Sequence, residues 1–577
     1  MENNITSDNT TPTYDAIIIG SGAGGLATAL CLAKAGQKVL VLEQHYVPGG
    51  WCHSFHLNGQ RFSPGVHYIG LMAEGESTNI LYKGLGIANE LVFFQMTKKG
   101  YEHCHIGSKK IDMPAGIHNL YEGLAKEFPK EKKNLKKYLD IIENVGNQVQ
   151  LIPKMRTFWD HVTIPYRTRH MGKYGLFSLK RVINWYIKDP LLKAVLSIQC
   201  GDHGLPPYKA SFPVHCVLMS HYFQGAYYPM GGGGGIVKGM TNVFKKHGGE
   251  LQVKQNVKRI LIENNRAFGV ELSDGKQIFA KTIISNADPS STYLKLVGKE
   301  NLSNKLQKKL AGTTYSATSL ILFLTLDMDV KKAGMDSGNI WSLRDENIDE
   351  IYNELTSDDV LKGEEFPAVF ISCTTLKDPA SFNGRYHSFE VVTFIEYNSF
   401  KEIEEQDYHS ERYAEMKKKI IYKFLNNVEK AIPGAKQHIV QVELGTPKTN
   451  QFYINSTNGN VYGTEKTFKQ IGPFSFKNKT EIENLYMCGA STLAHGVAGA
   501  AYSGVATAAI ILNSTSDELL KDQEGQTLRI YDAEDESTWP QSVHQKIEDR
   551  KRRFKEIDLK DLLPDIKNKE MASHKNG

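Results

Sequence analysis

Apolar and polar positions change period several times along this chain, and each change marks an element. Residues 14–19, Tyr-Asp-Ala-Ile-Ile-Ile, are a short apolar run of the kind buried on both faces of a sheet. Small residues then dominate, and Leu26 to Ala35 reads as an Ala-rich helix. A second apolar run, Val39 to Leu42, ends in an acid, Glu43. From about 76 to 224 the period becomes mostly helical, with charged faces such as Lys130 to Lys137. At Gly225 the pattern reverts. Five glycines, Gly231 to Gly235, lead into a helix ending near His247, and strand patterns follow at 251–262, 267–272 and 277–284. Residues 301–479 alternate strand-like runs (318–326, 368–373, 387–397) with a charged helix near 402–430. Asn484 to Ala490 reads as a buried strand entering a glycine turn, and a Gly/Ala-rich helix runs to about Leu512. The tail, 513–577, is highly charged and poor in strand formers, which suits surface helices or partial disorder.

The first βαβ unit carries chemistry. Its turn, Gly20-Ser21-Gly22-Ala23-Gly24-Gly25, fits the glycine pattern of a dinucleotide site. Gly20 allows the tight turn, Gly22 lets backbone approach a pyrophosphate, and Gly25 lets the helix pack close to the strand. The amides that open the helix face the phosphates. Glu43 stands where a carboxylate can accept ribose hydroxyls. The turn does not by itself decide between FAD and NAD(P).

Composition narrows the rest. The chain has 577 residues, room for two or more domains or one large composite one. A formal charge of +5 is small for that length and does not point to nucleic acid. Seven cysteines are scattered without a CxxC pair, so neither zinc nor a disulfide framework is expected, and a cytoplasmic, reducing setting fits. Met1 to Thr13 lacks the features of a secretory signal. No stretch of 18 apolar residues occurs, so no bilayer span is expected. The cofactor-like segments, 13–75, 225–300 and 480–512, are far apart. They read as one composite domain, with 76–224 as a helical cap and 301–479 as the sheet-containing part of an inserted substrate domain.

Three blocks, Ile17–Glu43 with Gly49-Gly50, Tyr227–Asp288 and Asn484–Leu512, resemble the flavin amine oxidase-like superfamily. Within it the chain resembles the phytoene desaturase, carotenoid isomerase and retinol saturase group. It looks most like the retinol saturases through Glu43-Gln44-His45, Gly49 to Phe55, Gly65 to Gly70, His221 to Pro229 and Thr446 to Tyr453. The resemblance spans roughly 13–512. It implies an α/β fold, with a Rossmann-like FAD-binding domain and an inserted mixed α+β substrate domain. It also implies an FAD-dependent oxidoreductase that saturates a conjugated C=C bond of a retinoid, by hydride from flavin N5 plus a proton. A carotenoid desaturase or cis–trans isomerase uses the same cradle, and a non-catalytic lipid or prenyl carrier shares the fold.

The resemblance also implies site residues. FAD would contact Gly20, Gly22, Ala23, Gly24, Gly25, Glu43, Gln44, Gly49, Gly50, Trp51, Val257, Gly489, Ala490, Val497 and Ala498. Proton-handling candidates are His67, Tyr68, Tyr228 and His495. Two departures stand out. Trp51 follows the Gly49-Gly50 pair where many relatives carry Arg, and Ala490 stands where the end block often has Asp. The glycine run at 231–235 has no Lys-Ser/Thr at P-loop spacing, so it reads as a close backbone approach. Cys52 and Cys488 lie near cofactor glycines and read as buried inert thiols before a redox pair. His161 to Lys188 carries six Lys or Arg and no acid, interleaved with Tyr166, Tyr174, Phe177, Trp185 and Tyr186. That composition suits a peripheral membrane surface, from which a retinoid or carotenoid-like polyene could be drawn. No second nucleotide motif identifies the electron donor.

Overall fold

The computed structural model describes residues 12–151, 158–398, 400, 410–521 and 523–554. Its first sheet has seven strands. Tyr14–Ile19 lies at the centre, parallel to Val39–Leu42 on one side and to Gln277–Ser285 on the other. Glu250–Gln252 extends one edge beside Val39–Leu42, and Leu485–Met487 adds in parallel to Gln277–Ser285. Val257–Glu263 and Arg266–Leu272 continue the sheet as an antiparallel pair.

Alternation explains why this sheet is buried twice over. Ala16, Ile18, Val39 and Val41 point into one core, with the helices Ala23–Lys34, Gly233–Lys246 and Gly496–Ile511. Ile17, Ile19, Leu40 and Leu42 point into a second core on the opposite face, with Val257, Val270 and Tyr293. Successive strand side chains face opposite ways, so an unbroken apolar run is what a doubly covered strand needs.

The second sheet is also seven-stranded, in the order Ile439–Gly445, Thr318–Leu326, His387–Ile395, Ala368–Cys373, Asn339–Leu343, Glu102–Ile106 and Lys109–Met113. All neighbours are antiparallel except Asn339–Leu343 with Glu102–Ile106. The helical cap, including Lys132–Leu151 and Phe212–His221, shares its hydrophobic core. The protein is thus an α/β fold with two mixed sheets and many helices.

Several pattern-based expectations need correction. The 76–224 stretch is mostly helical, as its period predicts, but not only so. It holds Val92–Gln95 and two strands of the second sheet. The first alternates buried with half-buried positions and the second is exposed at Lys109, Lys110 and Asp112, so their charges hide them. The run at 251–262 is two strands, broken by a turn in which Lys254 takes φ 57°. The charged helix spans Glu411–Ala431, and 401–409 lie outside the described residues. The tail contributes a strand, Arg529–Asp532, parallel to Val92–Gln95, and a helix, Gln541–Phe554. Among the described residues no helix is long and apolar enough to cross a membrane.

Candidate active site

A cleft opens at the carboxyl end of the first strand. Of the residues named above, Gly20, Gly22, Ala23, Gly24, Glu43, Gln44, Gly49, Gly50, Trp51, Val257, Gly489, Ala490 and Val497 line it. Gly25 and Ala498 do not. Gly25 lies beneath, where a Cβ would stand 2.2 Å from the Gly20 carbonyl oxygen. That is the tight helix–strand packing its position implies.

Two helix ends open onto the cleft without side-chain caps. Ala23–Lys34 starts at Gly22, and Gly496–Ile511 starts at His495 with no acid in its first turn. Each leaves backbone N–H groups free and a positive dipole end, as a pyrophosphate and an electron-rich ring system require. The two helices meet closely. A Cβ on Gly24 would come within 2.9 Å of both Gly489 Cα and the Ala500 carbonyl oxygen.

Glu43 is buried and already oriented. Its Oε2 accepts from the Ser21 amide at 3.0 Å and the Ser21 hydroxyl at 2.6 Å, and its Oε1 accepts from the His45 amide at 2.9 Å. A carboxylate offers about four acceptor positions, so capacity remains for a ribose. The turn at 253–256 completes this end, with the Gln255 amide donating to the Glu43 carbonyl at 2.8 Å. Asn286, Lys295 and Tyr462 also line the cleft. Sequence reasoning passed over all three.

A buried cation stands behind the cleft wall. Lys466 Nζ donates to the Ala490 carbonyl at 2.7 Å, and burial pushes its pKa down to about 7. Nothing in its local sequence marks it.

The proton-handling candidates sit apart from the cleft lining. Tyr68 donates its hydroxyl to Asp202 Oδ2 at 2.6 Å, and its ring stacks on Tyr222 at 4.3 Å and on Phe370 at 6.3 Å. Beside it lies Glu102, fully buried, with neither carboxyl oxygen in hydrogen-bond geometry to a described group. Burial raises the Glu102 pKa to about 8, Asp202 adds to the rise, and Tyr68, Trp341 and Lys377 oppose it. His67 Nδ1 stands 3.0 Å from Glu390 Oε2. Tyr228 is buried under the Lys377 ammonium, 4.6 Å from its ring centre. Lys377 also donates to the His67 carbonyl, Asn339 and Ser372. His495 Nε2 donates to the Asp202 carbonyl at 3.2 Å, and burial, aided by Lys466, pushes its pKa down to about 3.

An apolar chamber adjoins this cluster. It is a narrow space lined by Trp341, Tyr352, Phe370, Val392, Thr393 and Phe394, among others. Chamber and cleft share a wall, because Tyr462 of the cleft packs on Phe394 of the chamber at 5.9 Å.

The glycine run makes no phosphate loop. Ser63 and Ser54 hydroxyls accept from the Gly233 and Gly234 amides at 3.0 and 2.9 Å, so that helix end is already occupied. Cys52 and Cys488 are buried free thiols, with pKa values pushed up to about 12 by burial.

The chain is similar to proteins of a flavoprotein family. Residues 23–512 match the model of the flavin containing amine oxidoreductases. All-trans-retinol 13,14-reductase of Danio rerio is 30% identical over 527 residues, 86% of each chain. Prolycopene isomerase of Arabidopsis thaliana is 28% identical, covering 85% of this chain and 81% of its own. Among solved structures, an oxidoreductase from Methanosarcina mazei superposes with TM-score 0.58 at 17% identity, covering 85% of this chain and 99% of its own. Putrescine oxidase superposes with TM-score 0.59 at 14% identity, covering 87% and 99%. The chain is a flavin-dependent oxidoreductase, and it belongs to the flavin-containing amine oxidoreductase family.

Proposed function

We propose that the protein binds FAD and saturates a conjugated C=C bond of a retinoid-like polyene. One observation carries this reading: an almost wholly apolar chamber that shares a wall with the dinucleotide cleft. A polyene has no polar atoms along its chain, so desolvation into such a chamber stabilises binding by about 25 cal/mol per Å² of apolar surface buried. Relatives named all-trans-retinol 13,14-reductase and prolycopene isomerase support a polyene as the substrate class.

In this reading Glu43 and the 253–256 turn hold the ribose and adenine end. The first helix opening holds the pyrophosphate, and the Gly496–Ile511 opening faces the ring. FAD, once bound, supplies the hydride. The chain must supply the proton, and Tyr68 suits the role best. It stacks against a chamber wall and is hydrogen-bonded into a cluster where Glu102 holds a proton at neutral pH. His495 suits it less, because burial keeps its ring neutral, and a neutral imidazole N–H is a far weaker acid than a phenol. Tyr228 serves instead to position Lys377, and His67 to tie its loop to the second sheet through Glu390.

The cap offers a membrane-facing surface. Val162, Tyr166, Leu176 and Trp185 are exposed, while Arg169 lies over Tyr166 and Arg181 over Phe177 and Trp185. Exposed aromatics among cations suit the headgroup region of an anionic leaflet. A monotopic enzyme docked there draws its substrate from lipid. Anaerobic incubation of reduced protein with all-trans-retinol and with a poly-cis carotene tests the proposal. A dihydro-retinoid supports it. Altered double-bond geometry at unchanged mass would assign the isomerase chemistry instead.

A further inference from the structure

We propose that Cys200, His203 and His215 form a buried site for a divalent transition metal of the zinc class. Cys200 and His203 lie three apart on the 3₁₀ helix Ile198–His203, and side chains at that spacing share one face. His215 approaches from the next helix, Phe212–His221. The three side chains are at most 1% exposed, and their ligand atoms all lie within 4.8 Å of one another.

Hydrogen bonding prepares the set for a cation. His215 Nε2 donates to the Leu196 carbonyl at 3.1 Å, which leaves Nδ1 as a bare lone pair with no partner. Fixing a ligand's tautomer through its other ring nitrogen is how metal-binding histidines are usually held. Neither ring nitrogen of His203 has a partner, although the residue is buried. A buried polar group left unmet is costly, and a cation or a water would satisfy it.

The donor set selects the metal. One sulfur and two imidazoles suit zinc and exclude magnesium and calcium, which require oxygen. Zinc bonds of about 2.0–2.3 Å draw tetrahedral ligands to roughly 3.5 Å apart, so binding closes the cluster by about an ångström. With three protein ligands, a water would fill the fourth position, and the metal would brace the turn. Asp202 sits between two of its ligands and holds Tyr68 and His495, so a clamped 3₁₀ turn fixes the proton-handling groups.

Elemental analysis of untagged, full-length protein purified without chelators is the test. About one zinc per chain is expected. Reloading with cobalt should give a sulfur-to-cobalt charge-transfer band that Cys200→Ser abolishes. His203→Ala and His215→Ala should each hold about tenfold less metal or worse, while His118→Ala, at an exposed position, keeps the full complement. Metal-free native protein with no cobalt band would overturn the proposal and assign a bridging water. Full metal content in both histidine variants would overturn it equally.

Discussion

The crossing of the two helices over the cofactor cleft makes Gly504→Ala the most informative substitution. Gly504 lies mid-helix in Gly496–Ile511, and a Cβ there would stand 2.1 Å from the Gly24 carbonyl oxygen and 3.0 Å from Ala27 Cβ. Carbon–oxygen contacts settle near about 3.3–3.6 Å, so the helices must part by about 1 Å. Overpacking of this kind costs about 1–3 kcal/mol. The Thr28 hydroxyl, which donates to the Gly504 carbonyl at 3.0 Å, loses its bond, for about 0.5–1.5 kcal/mol more. Ala's better helix propensity returns about 1 kcal/mol. A net loss of about 1–3 kcal/mol falls on the crossing that seats Ala23–Lys34, the helix whose first turn would hold the pyrophosphate. Expressed in binding, it weakens FAD affinity by about 5- to 150-fold, readable by flavin fluorescence titration. Gly123→Ala is the control. Gly123 is exposed mid-helix with nothing near its added Cβ, so it should stabilise by about 0.5–1 kcal/mol and leave affinity alone. Wild-type FAD affinity and stability in Gly504→Ala would refute the reasoning that this crossing shapes the cradle.

Glu43→Gln removes a buried charged acceptor from Ser21 and His45 and should weaken FAD binding about 10- to 100-fold in the same titration, with the fold intact by circular dichroism. Tyr68→Phe should lower turnover by about 10²-fold or more while FAD content stays at the wild-type level; a change under threefold would remove Tyr68 as proton donor. Glu102 binds a proton in the folded state up to about pH 8 and in the unfolded state only to its ordinary 4.5. The native state therefore holds more protons between pH 4.5 and 8, and stability should fall as pH rises through that window. Glu102→Gln should flatten this slope in thermal melts across the same range, and an unchanged slope would show that the dependence arises elsewhere.

The cofactor cradle was legible because its determinants are local. A strand buried on both faces, a glycine turn and a strand ending in Glu43 sit within about thirty residues, and each has a fixed physical meaning. Gly489 and Gly496–Ile511 carried a similar signal. The strands Glu102–Ile106 and Lys109–Met113 were not legible, because short alternating segments rich in Lys and His mimic solvated helix faces. Arg529–Asp532 was hidden by the charged tail around it, since it is a half-exposed edge strand whose pairing partner lies in Val92–Gln95. Site chemistry was least legible where it depends on distant contacts. Asp202 lies 134 residues from Tyr68, and Lys466 is marked only by its burial. The Cys200-x-x-His203 spacing was a readable signal, but attention to CxxC pairs alone passed it by.

The central claim, that an apolar polyene in the chamber is reduced at its double bond, is tested most directly in a single turnover. Protein reduced anaerobically is mixed with all-trans-retinol, and flavin absorbance is followed together with product mass. Reoxidation of the flavin in step with one equivalent of a product carrying two added hydrogens is the predicted result. Flavin that stays reduced while the retinol is recovered unchanged would contradict it.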